Sequence, residues 1–132
     1  MEEREKIDIN VFHLGTSVVK FNLPMKLIDD INKAYDENSK NLKPFNDELA
    51  GKIAEENLVN DILTDEMNNT FRWCFQEYLN IIDYQGRLYL PVLAQAWINE
   101  MKSGEYNPIH YHTSKNSEVG LSSVLMLKRP DW

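Results

Sequence analysis

The sequence predicts an α+β domain in which helices brace one sheet, and three observations carry that prediction. β-favouring side chains crowd the first part of the chain. Apolar residues then recur at helical spacing as far as residue 82. After Gly86 that periodicity gives way to near-continuous apolar runs divided by turn residues.

The first element is marked by Val11, Phe12, Val18, Val19 and Phe21, all ahead of Pro24. Residues 11–21 are expected to be extended, with Gly15 the point where a turn or bulge is tolerated. Pro24 suits the first turn of a helix, where its missing N–H would find no partner anyway. Leu27, Ile28, Ile31 and Tyr35 then repeat at helical spacing and predict a helix over 24–37. Asn46 can cap a short helix through about Glu56, with Leu49, Ala50, Ile53 and Ala54 inward. A longer helix follows, with a break near Thr64 and an end near Ile82. Met67, Phe71, Cys74, Phe75, Tyr78 and Ile82 form its apolar stripe. Such a stripe is usually core, so Cys74 reads as a buried hydrophobe and not as a nucleophile. Residues 88–101 are too apolar for a surface helix and predict a strand, or two strand segments bent at Pro91. Lys102-Ser103-Gly104 signals a turn, Tyr106 to His112 leads into a further strand, and Leu121 to Lys128 predicts another.

Length and composition bound the function. A chain of 132 residues makes one domain with a single core, and 42% apolar with 27% charged residues is ordinary for a globular protein. Fourteen basic residues face 21 acidic ones, for a net charge of −7, and no basic cluster compensates locally. Nucleic-acid binding and attachment to anionic membranes are therefore disfavoured, since both draw on basic surface. No apolar run approaches the ~20 residues that span a bilayer. A single cysteine excludes an intramolecular disulfide and a thiolate zinc cluster. With the acidic, polar opening MEEREKIDIN, these features lead to an expected cytoplasmic setting.

One constellation stands above this background: Asn107-Pro108-Ile109-His110-Tyr111-His112. On an extended strand, residues two apart point to one face, so His110 and His112 would project together. Two neutral imidazoles on one face can take adjacent positions around a first-row metal. Spacing alone is weak, because two histidines in a polar loop are more often a solvated pair.

The surrounding residues sharpen the reading. Trp97-Ile98-Asn99, then Gly104, then the 107–112 block, then Leu121-Ser122-Ser123-Val124 follow one another in order. This succession resembles the iron(II)/2-oxoglutarate-dependent oxygenases, in particular the prolyl-hydroxylase-like branch of phage and marine bacteria. There a W-x-N strand precedes a G-x-x-N turn, an H-x-H pair and an L-S-G-V-like strand. Asn46 to Ile53 also looks like the helical N-terminal region of that branch.

The resemblance implies a double-stranded β-helix, the jelly roll of these enzymes, and hence a partial jelly roll braced by N-terminal helices. It implies Fe(II) as cofactor and 2-oxoglutarate as cosubstrate, with His110 as the first metal ligand. His112 stands where the commonest pattern has an acidic residue, which allows an all-histidine site. Asn99 shares a strand face with Trp97 and Met101. It either donates a hydrogen bond to 2-oxoglutarate or, as readily, satisfies its own backbone. The family's third ligand is a histidine on a later strand, followed by a basic residue that holds the far carboxylate of 2-oxoglutarate. Neither appears by Trp132; His13 is a poor substitute, and Lys128 and Arg129 come too early. Residues 1–132 are therefore expected to form the N-terminal part of a larger oxygenase-like domain.

Two functions follow. The first is hydroxylation of an unactivated C–H bond, coupled to oxidative decarboxylation of 2-oxoglutarate, on a peptidyl side chain such as proline, a small metabolite or, least favoured by charge, a base. The second is a non-catalytic jelly-roll module that packs against partner proteins, for instance in a virus particle. An unpaired sheet edge would favour a protein partner or a homo-oligomer in either case. The remaining acidic pairs, Asp29-Asp30 and Glu55-Glu56, read by default as solvated helix faces, and Ser122 and Ser123 lack catalytic surroundings.

Overall fold

The computed structural model describes residues 7–46, 51–82, 90–110 and 120–129. The fold is mixed α+β, as expected. Strands β1 (Asp8–Leu14) and β2 (Thr16–Asn22) are followed by helix α1 (Met25–Asn38) and strand β3 (Glu55–Leu58). Helix α2 (Asp65–Ile81) and strand β4 (Trp97–Glu100) complete the order. The single braced sheet is replaced by two separate two-stranded antiparallel sheets, β1–β2 and β3–β4. Among the described residues no helix is long and apolar enough to cross a membrane. The chain divides into two compact units, residues 1–33 with 63–93 and residues 34–62 with 94–132.

The first unit is organised by β2 and α2. Gly15 sits at φ +89, a region that costs glycine little, and turns the chain so that Leu14 opposes Thr16. The interruption expected at Gly15 is thus a full reversal into a hairpin. Phe21 meets Trp73 of α2 edge-on, with ring centroids 6.1 Å apart and planes at 70°. The Tyr78 hydroxyl donates to the Ser17 carbonyl at 2.9 Å, so α2 grips β2 at two points. Thr64 caps α2: its hydroxyl accepts from the Met67 N–H at 3.3 Å, and its own N–H reaches the Met67 sulfur. The break expected near Thr64 is therefore where the helix begins. Among the described residues, Leu27, Ile28, Ile31, Met67 and Leu79 are the buried apolar side chains of this unit, and Cys74 is half-buried in the predicted stripe.

The second unit is built around β3. Its register with β4 places Glu55 opposite Glu100, Glu56 opposite Asn99, Asn57 opposite Ile98 and Leu58 opposite Trp97. On its other side, residues 43–45 run alongside. The Phe45 N–H donates to the Glu56 carbonyl at 2.8 Å and the Leu58 N–H to the Lys43 carbonyl at 3.0 Å. Asn60 closes one end, accepting from the Ala96 N–H at 2.9 Å and donating to the Ala94 carbonyl at 3.3 Å. At the other end the chain turns at Lys102 to Glu105, as expected, with Gly104 at φ +84. Beyond the turn, Lys52 and Tyr106 exchange backbone hydrogen bonds of 2.8 and 3.3 Å. Tyr35, Phe45, Ile53 and Val59 supply the buried hydrophobic and aromatic side chains, and Phe45 lies 5.8 Å from the Trp97 ring.

Three expectations are corrected. The helix from Asn46 to Glu56 gives way to strand at 55–58, while residues 47–50 lie outside the described residues. The Asn46 amide donates at 2.8 Å to the carbonyls of both Ile53 and Ala54. The strand expected over 88–101 shrinks to Trp97–Glu100, with 90–96 irregular and 83–89 outside the described residues. Pro91 removes a donor there, and a run of apolar residues forms no ladder without a partner. The segment 121–128 is not a strand, although its exposure still alternates from Val124 to Lys128.

Gly51 is the most constrained backbone position in the second unit. It sits at φ +126, and a Cβ there would lie 2.9 Å from the Tyr106 carbonyl oxygen. Gly51→Ala should destabilise the fold by roughly 1–3 kcal/mol through backbone strain, with the clash adding to that. Gly104→Ala, with open space around it, should cost less, and urea unfolding of the two variants side by side checks the order. Thr64→Ala should cost about 1 kcal/mol through loss of the α2 cap, read by the same method.

Candidate functional site

The residues singled out from sequence lie in the second unit. Asn99 occupies β4, and the pleat puts Glu56, Leu58, Trp97 and Asn99 on one face and Glu55, Asn57, Ile98 and Glu100 on the other. Met101, expected to share the Asn99 face, follows the strand and is exposed. The Asn99 Oδ1 is buried without a hydrogen-bond partner among the described residues. The alternative role for Asn99, satisfying its own backbone, is therefore not one its carbonyl oxygen plays.

His110 is exposed, beyond the turn and the Lys52–Tyr106 bridge, in a segment that makes no strand. Its Nδ1 lies 2.8 Å from the Pro108 carbonyl oxygen. A carbonyl can only accept, so Nδ1 carries the proton, and in the neutral ring Nε2 keeps its lone pair. His112 lies outside the described residues, and with it the expected two-imidazole face. Among the described residues, no group of three His, Cys, Asp or Glu side chains is placed to hold a metal ion.

Glu56 escaped the sequence reading. The sequence pattern places it with Glu55 on a solvated helix face, yet it is 2% exposed on a strand, and its Oε1 has no partner among the described residues. No local signal marks it, because an acidic pair is solvated by default and only the ladder turns Glu56 inward. Burial, and then the carboxylate of Glu105, push its pKa above the ordinary glutamate range.

Three other carboxylates meet different surroundings. Glu105 accepts from the Ala54 N–H at 2.9 Å and the Lys102 N–H at 2.7 Å, and these donors hold its pKa below the usual range. Glu55 pairs with the Lys102 ammonium, which raises the lysine's pKa. Glu100 bonds the Tyr35 phenol, whose hydroxyl also accepts from the Asn57 amide at 3.0 Å. Burial, then the bond to Glu100, push the Tyr35 pKa up to about 12. Burial also pushes the Cys74 thiol up to about 11, which suits the inert role expected of it. Chemically, the unit offers a buried carboxyl and a buried phenol that both favour their protonated forms. It also offers an exposed imidazole with a defined tautomer.

No protein-family model matches the chain, and neither a curated protein nor a solved structure matches it.

Tyr35 generates a prediction with a definite sign. Its folded-state pKa lies above the ordinary tyrosine value of 10.0, so its contribution is complete below that value and is lost as pH rises towards about 12. Tyr35→Phe should flatten the loss of stability in that alkaline window, measured by denaturant unfolding as a function of pH. In the wild type, ultraviolet titration should find a tyrosine that ionises towards about 12 and is lost in Tyr35→Phe.

Proposed function

We propose that this chain serves an iron(II)/2-oxoglutarate-dependent hydroxylase, with His110 as its first metal-facing imidazole. The observation that carries the reading is the His110 ring geometry within the oxygenase-like block. An Nδ1–H donated to a backbone carbonyl is the usual support of a metal-ligating histidine, and it leaves Nε2 as the ligating atom. The order of the block supports it: the W-x-N segment is strand β4, and the G-x-x-N segment begins in the turn at Gly104. In this reading β3 and β4 form part of a double-stranded β-helix, and Asn99 donates through its Nδ2 to 2-oxoglutarate.

A neutral imidazole nitrogen suits Fe(II). The described residues contribute one such ligand and do not by themselves assemble a site. When bound, Fe(II) with 2-oxoglutarate supplies hydroxylation of an unactivated C–H bond. What this chain contributes is one oriented ligand and, through Asn99, a hydrogen-bond donor. The substrate classes that fit best are a peptidyl side chain such as proline and a small metabolite, because a net charge of −7 disfavours nucleic acid. The second reading is the non-catalytic module that binds a partner protein or another copy of itself. It is favoured by the exposed apolar side chains of Ile109, Val124 and Met126.

Calorimetry with Mn(II), an inert surrogate, separates the two. Binding to the wild-type chain should be weak and should disappear in His110→Ala. Undiminished binding in His110→Ala would place the metal elsewhere. A wild-type chain that takes up no metal would favour the module.

A further inference from the structure

The Glu56 carboxyl and the Asn99 carboxamide stand opposite each other at the middle of the β3–β4 ladder. Directly opposed residues of an antiparallel pair project to the same face with their Cβ atoms close together. Glu56 Oε1 and Asn99 Oδ1 are the two buried side-chain oxygens left without a partner among the described residues. That coincidence calls for one explanation. An ionised Glu56 would face Asn99 Oδ1 acceptor to acceptor, and two acceptors cannot satisfy each other. A single proton on Glu56 turns it into a donor and satisfies both oxygens at once.

We propose that Glu56 and Asn99 form a proton-sharing pair, in which protonated Glu56 donates to Asn99 Oδ1, so that the β3–β4 ladder loosens when the proton leaves. The charged groups around the pair agree with this assignment. Glu105, on the turn after β4, disfavours a second negative charge at Glu56. Glu55 and Glu100 lie on the opposite face, and the Lys102 ammonium is engaged by Glu55. From the segment beside β3, Lys43 is exposed and contributes its backbone carbonyl to the Leu58 N–H. Asn46 spends its amide on the carbonyls of Ile53 and Ala54. Among the described residues no lysine, arginine or histidine pairs with Glu56. The pair is independent of any metal, and it does not use the Asn99 Nδ2.

A group whose folded pKa is raised stabilises fully below its unfolded value and loses that contribution as pH rises through the folded value. Glu105 runs the other way, contributing above its unfolded value and losing that contribution as pH falls. The comparison must therefore be between wild type and Glu56→Gln, a variant of the same shape that cannot ionise. Urea unfolding of the full chain, from about pH 3 to about pH 8, supplies it. The ratio of the wild-type to the variant unfolding constant should rise with pH above the ordinary glutamate value of 4.5. The rise should reach up to about tenfold per pH unit before levelling off. A flat or falling ratio overturns the proposal. Carbon-13 NMR titration of the wild-type chain keeps the test decisive should the variant fail to fold. The Glu56 carboxyl should titrate above 4.5. A midpoint at or below that value would mean an ionised Glu56 held by a rotated Asn99 amide, and would overturn the pair. Asn99→Leu, which keeps the burial and removes the acceptor, should lower the Glu56 midpoint. An unchanged midpoint would mean that burial alone holds the proton, and would equally overturn the pair.

Discussion

Strand β3 can pair with β4 only after the whole of α2 and the irregular segment behind it have been accommodated between them, so the ladder must offset the entropy of closing a long loop. Its own four residue pairs are helped at both ends. Asn60 clamps the backbone on either side of Gln95, and Glu105 ties the backbone N–H groups of Ala54 and Lys102 together. Residues 43–45 bind the other edge of β3, which makes β3 the central element of its unit. Register is therefore specified twice. A slip of one residue would break both sets of backbone hydrogen bonds and would exchange Glu56 for Glu55 on the inner face.

That register also sorts the unit's glutamates. Glu55, Glu56, Glu100 and Glu105 lie within one short ladder and its turn, in a chain that already carries a net charge of −7. Each has a separate resolution: an ammonium for Glu55, a phenol for Glu100, two backbone N–H groups for Glu105 and burial for Glu56. Because Glu105 and Glu56 shift in opposite directions, the unit's stability responds to acid with two contributions of opposite sign.

The same framework places the segment that leads to His110. Gly51 lacks the Cβ that would strike the Tyr106 carbonyl, which lets Lys52 and Tyr106 pair. The chain is thus anchored just before Asn107-Pro108, and the Pro108 carbonyl is presented to the His110 ring. Asn99 is positioned by the ladder with β3, and His110 follows the Lys52–Tyr106 bridge beyond the turn.

What was legible in the sequence was local. Helix α1 follows from Pro24 and the spacing of Leu27, Ile28, Ile31 and Tyr35, and α2 from its apolar stripe, whereas the cap at Thr64 emerges only in the structure. The reversals at Gly15 and Gly104 follow from the one residue that tolerates positive φ cheaply. The sequence also proposed Asn99, His110 and His112 as site residues, of which Asn99 and His110 lie among the described residues. Strand β3 was not legible, because Glu55-Glu56-Asn57-Leu58 holds a single apolar residue and its hydrogen bonds go to residues 43–45 and 97–100, remote in the chain. The segment 121–128 shows the converse, a strand-like composition that finds no ladder. Glu56 belongs to the same class. A helix satisfies its backbone from within, so its sequence suffices to announce it, whereas a strand and the face on which it buries a carboxyl exist only once a distant partner has set the register.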